Sequence, residues 1–271
     1  MSEIIKHEPT TIYIKPSKGL AALNLRDMWL YRELIYFMIW REIKVRYRRS
    51  VFGLIWAVLQ PVPLALVMYA VFSRAFKDEI TDYFVYVICG IVFWSFFNSG
   101  ILSSINSLQR NSSVLRQMPV DATVFPLSAV LSASVHLALS LVGLLSLLFL
   151  LGVRPTISLA FLPVAIVLAA AFTAGVGLLL SPLALFFGDM NEAISLVLGV
   201  VIYTTPIFYP VSMLPSALQP VVLNSPLAAL LDCFRQPIQH GALPEATVLA
   251  NAAVSAVFAF GLGWRVFRRY R

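Results

Sequence analysis

Between Tyr31 and Arg49 the chain interleaves Arg32, Arg41, Lys44, Arg46, Arg48 and Arg49 with Tyr36, Phe37, Trp40 and Tyr47. Guanidinium and ammonium groups donate charge-assisted hydrogen bonds to phosphate oxygens, while aromatic rings settle between headgroups and acyl chains. That mixture predicts an amphipathic helix lying along a membrane face, its cations among lipid phosphates. Tyr36, Trp40, Ile43 and Tyr47 recur at steps of four, three and four and so share one helical face; Arg41, Lys44 and Arg48 share an adjacent one.

Elsewhere reactive side chains are sparse. His7, His136 and His240 fall in a tail, an apolar run and a loop, so no local metal-ligand spacing can be built from them. Asp78, Glu79 and Asp82 form an acidic cluster, read as a solvated turn. The sequence contains no HExxH, GxSxG or GxxxxGK[ST] pattern, which excludes those routes to hydrolysis and any phosphate loop for ATP. Cys89 and Cys233 have no CxxC spacing and read as packing residues.

The elements that must position these groups are apolar. Of 271 residues, 59% are hydrophobic and only 12% charged, and the mean hydropathy is +0.84. Such a chain is solvated by lipid. Six apolar runs suffice to cross a hydrocarbon core of about 30 Å as helices: residues 53–76, 84–108, 124–151, 157–187, 193–209 and 247–264. The expected fold is therefore all-α: a polytopic membrane protein of six transmembrane helices with an amino-terminal interface helix. Residues 1–52 form the amino-terminal segment and 53–271 the membrane domain. Within the latter, the proline-rich stretch 210–245 holds two short apolar runs, 213–222 and 226–234, read as re-entrant or interfacial helices before the last span.

With the amino terminus inside, sixteen of the twenty Lys and Arg residues fall on the cytoplasmic side, leaving Arg74, Lys77, Arg154 and Arg235 outside. The positive-inside rule thus places both ends in the cytoplasm. The net charge of +7 is a topology signal, and nucleic acid is not expected as a partner. No secretory leader is visible in the first thirty residues. Within the spans charge is almost nil, whereas coupling transport to an ion gradient needs intramembrane carboxylates, bases or broken helices. Either energy arrives from a partner protein or there is no active transport. Gln60, flanked by Pro61 and Pro63, interrupts the first span and marks an expected kink. Gly175, Gly177, Gly261 and Gly263 lie within apolar runs and read as points of close helix packing.

From Trp40 to Pro61 the chain reads WREIKVRYRRSVFGLIWAVLQP. This resembles the membrane subunits of type-two ABC transporters that export bacterial polysaccharides, which carry a W-R-[DE]-I-K-x-R-Y element followed by L-x-W-A-x-L-x-P. The matching positions are Trp40, Arg41, Glu42, Ile43, Lys44, Arg46 and Tyr47, then Leu54, Trp56, Ala57, Leu59 and Pro61. Phe186 to Met190 resemble the family's R-[FY]-[RK]-D-[VIL] element without its basic residues. Thr205 to Tyr209 resemble its S-P-[IV]-x-[YF] element, and Leu223 to Pro226 its L-N-P element with Ser225 inserted. The spelling is closer to the O-antigen branch than to the capsule branch.

The resemblance implies a homodimer in the bacterial inner membrane, paired with two cytoplasmic ABC ATPase subunits and moving a lipid-linked polysaccharide outward. This chain would hold no cofactor; ATP and Mg would reside on the partner. Arg46, Arg48 and Arg49 would attract the diphosphate of the lipid carrier at the entrance. Trp56, Gln60 and Tyr69 on the first span, with Tyr203 and Phe208 on the fifth, would line the conduit. Arg110, Asn111, Leu115 and Arg116 would meet the ATPase at a short coupling helix in the loop 111–118. Two alternatives stay open on sequence: a type-two permease for a small lipophilic compound, and a membrane enzyme or scramblase acting on a lipid-phosphate carrier.

Overall fold

A computed structural model describes residues 31–48, 55–77, 79–80, 82–117, 120–153 and 155–270. Among them the regular structure is entirely helical. Helix α1, Arg32–Tyr47, is the amino-terminal basic helix. The first span follows as α2, Ile55–Leu59, and α3, Pro61–Phe72. Gln60 between them keeps helical angles, φ −59° and ψ −45°, and its amide still reaches the Trp56 carbonyl at 3.0 Å. The chain therefore runs on through the double proline, which takes two amide donors, those of residues 61 and 63, out of the hydrogen-bond ladder.

Helix α4, Tyr83–Arg110, is the axis of the molecule. At about 1.5 Å per residue it is roughly 42 Å long, more than a bilayer core, and Val87, Ile88, Cys89, Phe93 and Ile105 on it are all but fully buried. After the short α5, Ser112–Gln117, come α6, Val124–Leu150, and α7, Leu162–Leu180, the latter entered through a 3-10 turn at Ile157–Phe161. Pro182 ends α7 before α8, Leu183–Phe186.

The fifth apolar run is shorter than expected. Helix α9, Met190–Thr204, has 15 residues, about 22 Å at 1.5 Å per residue. Proline disfavours helical angles in the residue before it, and Thr205, preceding Pro206, turns extended with ψ 136°. The proline-rich stretch forms a 3-10 turn at Val211–Met213, α10 at Gln219–Leu223 and α11 at Pro226–Gln239. Ser225 caps α11, its hydroxyl accepting from the Ala228 amide at 3.1 Å. Helix α12, Ala246–Tyr270, closes the bundle and runs beyond the apolar stretch into Arg265, Arg268 and Arg269.

Among the described residues five helices are long and apolar enough to span a membrane: Ile55–Phe72, Tyr83–Arg110, Val124–Leu150, Ile157–Phe186 and Ala246–Arg269. Helix α4 packs against α3, α6, α7 and α11, and α12 lies along α7. That last contact is made by glycine. A Cβ at Gly175 would run into the Ala259 and Phe260 backbone, and one at Gly263 into the Gly175 backbone. Gly177 is filled against by Ser104. Gly261 faces open space and takes no part. The outer surface shows Val142, Phe149, Val167, Val254, Val257 and Phe258, which suits a protein solvated by acyl chains.

Candidate functional site

The bundle has two polar ends. At the basic end, α1 lies across the start of α6 and packs Leu34, Ile35 and Met38 against Phe125 and Val124. The stripe inferred from spacing divides: Tyr47 and Ile43 are half-buried, while Tyr36 and Trp40 stand 69% and 48% exposed. Two polar contacts fix the helix. The Arg41 guanidinium donates to Asn111 Oδ1 at 3.0 Å, and Tyr47 Oη shares a hydrogen bond of 2.6 Å with His136 Nδ1. Burial pushes the Tyr47 phenol up from its ordinary value, with Arg46 pulling it back. Arg110 faces Glu42 at 3.8 Å, and Arg268 of α12 faces Asp121 at 3.8 Å.

Arg46 and Arg48 are exposed on this end, free to meet anionic headgroups; Arg49 lies outside the described residues. The expected loop helix is present as α5. Asn111 at its start is buried and occupied within the chain: it accepts from Arg41 and donates to the Ser107 carbonyl at 2.8 Å. Leu115 is half-buried against the apolar cluster at this end. Arg110 remains exposed beside Glu42, and the Arg116 side chain lies outside the described residues. Of these four residues, then, two face inward, and Asn111 ties α1 to the loop.

At the proline-rich end a clamp holds the chain that leaves α9. Beyond Thr204 the carbonyls of Pro206, Phe208 and Tyr209 have no helix to join. Tyr86 shares its one hydroxyl proton between Pro206 O and Tyr209 O, each at 2.9 Å, and Tyr83 donates to Phe208 O at 2.7 Å. Arg235 of α11, 5% exposed, donates Nη2 to Pro206 O at 3.0 Å and lays its guanidinium 3.6 Å from the Tyr86 ring centre. An aromatic face attracts a cation most strongly when water is excluded. Gly90 leaves the room required, since a Cβ there would meet Ile207 Cγ2 at 2.8 Å and Arg235 Nη2 at 3.1 Å. Burial pushes the Asp232 carboxyl up from its ordinary value, with Arg235 pulling it back.

Of the aromatic residues expected along a conduit, three stand on exposed faces and Phe208 is half-buried. Trp56 is 47%, Tyr69 45% and Tyr203 67% exposed. Tyr203 and Phe208 pair with ring centres 6.1 Å apart beside the clamp, and Tyr69 meets Phe84 edge-on at 6.2 Å. Gln60 is exposed too, and also lines a small cavity with His136. The acidic cluster makes no metal site among the described residues; Glu79 accepts from Ser212 in the proline-rich stretch, and Asp78 lies outside the described residues. Cys89 and Cys233 are buried free thiols.

Two features escaped the sequence reading. Arg235 was assigned to an outer loop, yet it sits among Leu230, Leu231, Phe234 and Ile238, an apolar setting that could have marked it as buried. The second is serine spacing, taken up below.

Compared with known proteins, residues 33–238 match the membrane-domain model of the ABC-2 type transporter family. The chain is 29% identical over 212 residues to the O-antigen export system permease protein RfbA of Klebsiella pneumoniae, covering 78% of this chain and 82% of that one. It is 27% identical over 236 residues to the protein of that name from Myxococcus xanthus, covering 86% and 91%. To the capsule polysaccharide export inner-membrane protein CtrC of Neisseria meningitidis serogroup A it is 25% identical over 215 residues, covering 78% and 81%.

Proposed function

The chain belongs to the ABC-2 type transporter family, and from that premise we propose that it is the permease subunit of an O-antigen-type polysaccharide exporter in the bacterial inner membrane. The observation that carries this reading is the likeness to O-antigen export permeases over more than three-quarters of both chains. The helical bundle is consistent with it: five long apolar helices, a shorter sixth, and no phosphate loop for ATP. Energy then comes from a separate ABC ATPase carrying ATP and Mg.

In this reading two copies of the chain assemble with two ATPases, and both termini face the cytoplasm. The ATPases dock at α5 and Arg110. Because Asn111 is held by Arg41, a push on α5 passes directly into α1. Arg46, Arg48 and Arg49 receive the diphosphate of the lipid carrier. The exposed aromatics Trp56, Tyr69 and Tyr203 and the half-buried Phe208, with Gln60, border the conduit, where ring faces stack against sugar C–H groups without gripping them.

Co-expression with the ATPase encoded beside this chain tests the proposal. A detergent-stable complex of two plus two subunits with vanadate-sensitive ATP hydrolysis is expected, and failure of the ATPase to bind would remove the energy source. Replacing Arg46, Arg48 and Arg49 together by Glu is expected to abolish export while the complex still assembles. Normal export by that variant would refute the phosphate entrance.

A further inference from the structure

Along α4, Ser95, Ser99, Ser103 and Ser107 recur at every fourth position; along α6, so do Ser128, Ser132, His136 and Ser140. A step of four on a helix of 3.6 residues per turn stays on one face. Each set is thus a polar stripe, about 18 Å long for twelve residues at 1.5 Å each. The two helices pack against each other, and the stripes meet in two cavities. One, about 30 Å³, is lined by Ser103, Ser107, Asn111, Ser128 and Ser132, with Arg41, Glu42 and Arg110 at its mouth. The other, about 20 Å³ and about two turns further along α4 from its Arg110 end, is lined by His136 and Ser140 with the exposed Ser95 and Gln60.

Serines within apolar helices commonly bond back to their own helix, and several here do. Ser107 donates to Ser104 O, Ser128 to Phe125 O and Ser140 to His136 O. Ser95, Ser103 and Ser132 do not: among the described residues their hydroxyls have no hydrogen-bond partner, although Ser132 is only 7% exposed and lines the outer cavity. A hydroxyl in that position calls for water, and roughly 10–15 Å³ with two to four polar partners is enough to hold one.

We infer that α4 and α6 enclose a water-filled crevice that enters at the basic end and reaches inward to His136, roofed by α1 and the first span. The roof is named by the cavity walls: Met38, Arg41 and Glu42 from α1, and Ala57, Gln60 and Pro61 from the first span. The polar bonds that hold it shut include Arg41 to Asn111 and Tyr47 to His136, with the Glu42–Arg110 ion pair beside them. Intramembrane polar residues that face a cavity mark aqueous routes rather than lipid contact. The ligand of this site is water, and the inference is independent of what the conduit carries.

Single cysteines at Ser95, Ser103 and Ser132, introduced after Cys89 and Cys233 are replaced by Ala, test it. Serine to cysteine is nearly isosteric, and elution as a monodisperse species checks folding; should S132C fail, S95C and S103C carry the test. In proteoliposomes a charged, membrane-impermeant methanethiosulfonate reagent is expected to label all three about tenfold faster than cysteines at apolar-face positions of matching exposure, the buried Ala133 for Ser132, the half-buried Leu102 for Ser103 and the exposed Val142 for Ser95, because thiolate forms only where water solvates it. Equal rates at stripe and control positions would overturn the crevice. Tyr47→Phe in the S95C background is expected to raise labelling severalfold; an unchanged rate would overturn the roof.

Discussion

The clamp at the proline-rich end and the serine seam at the basic end are both polar structures inside an apolar bundle, built in opposite ways. In the clamp, Tyr83, Tyr86 and Arg235 each aim a donor at a named backbone carbonyl. In the seam, Ser95, Ser103 and Ser132 aim at nothing in the chain. Matched donors and acceptors fix one geometry, because losing either partner strands a buried group. Unmatched hydroxyls fix none. The difference assigns rigidity to the end where α9 gives way to irregular chain, and freedom to the end where α1 lies on the bundle.

The largest expected effect breaks the clamp. Arg235→Ala removes one of the two donors to the Pro206 carbonyl and the cation from Tyr86, a loss of about 3 kcal/mol from a buried hydrogen bond to a charged group plus a desolvated cation–π contact. Thermal unfolding in detergent measures it, and Arg235→Lys, keeping charge without the planar fork, recovers only part. Next is Gly90→Val, which drives a side chain into Ile207 and Arg235, costing about 2 kcal/mol by overpacking; wild-type stability there would show that the clamp has slack. Tyr86→Phe deletes one hydroxyl serving two carbonyls, at about 1–2 kcal/mol. The smallest effect belongs to the seam. Ser103→Ala with Ser132→Ala removes hydroxyls that bond to no protein group, so stability stays within about 0.5 kcal/mol. A loss as large as that from Tyr86→Phe would erase the distinction between the two regions.

The bundle was legible because lipid imposes a simple code: apolar runs of sufficient length become helices wherever no proline intervenes. Where proline does intervene, local chemistry decides, and the outcomes differ. Pro61 and Pro63 sit at the start of α3, where missing amides are tolerated, so the helix continues. Pro206 forces Thr205 extended, so α9 ends five residues short of Tyr209. The basic helix was legible from charge and spacing, and α5 from the family resemblance. Asn111 facing inward was not, because its partner Arg41 lies seventy residues away. Arg235 shows the same limit: the positive-inside count sorts a cation to one side of a membrane and says nothing of whether that cation meets water. The serine stripes went unread although their period of four is in the sequence, and only the packing of α4 on α6 reveals that two stripes face each other.

The backbones of α7 and α12 meet through Gly175 and Gly263 with no side chain between them. Such a joint has no rotamers to rearrange and no room to slide, so in mechanical terms the pair is a stator. A machine needs one: force applied to moving parts does work only against something that does not yield. Any side chain placed at Gly175 or Gly263 would push the two backbones apart and loosen that joint.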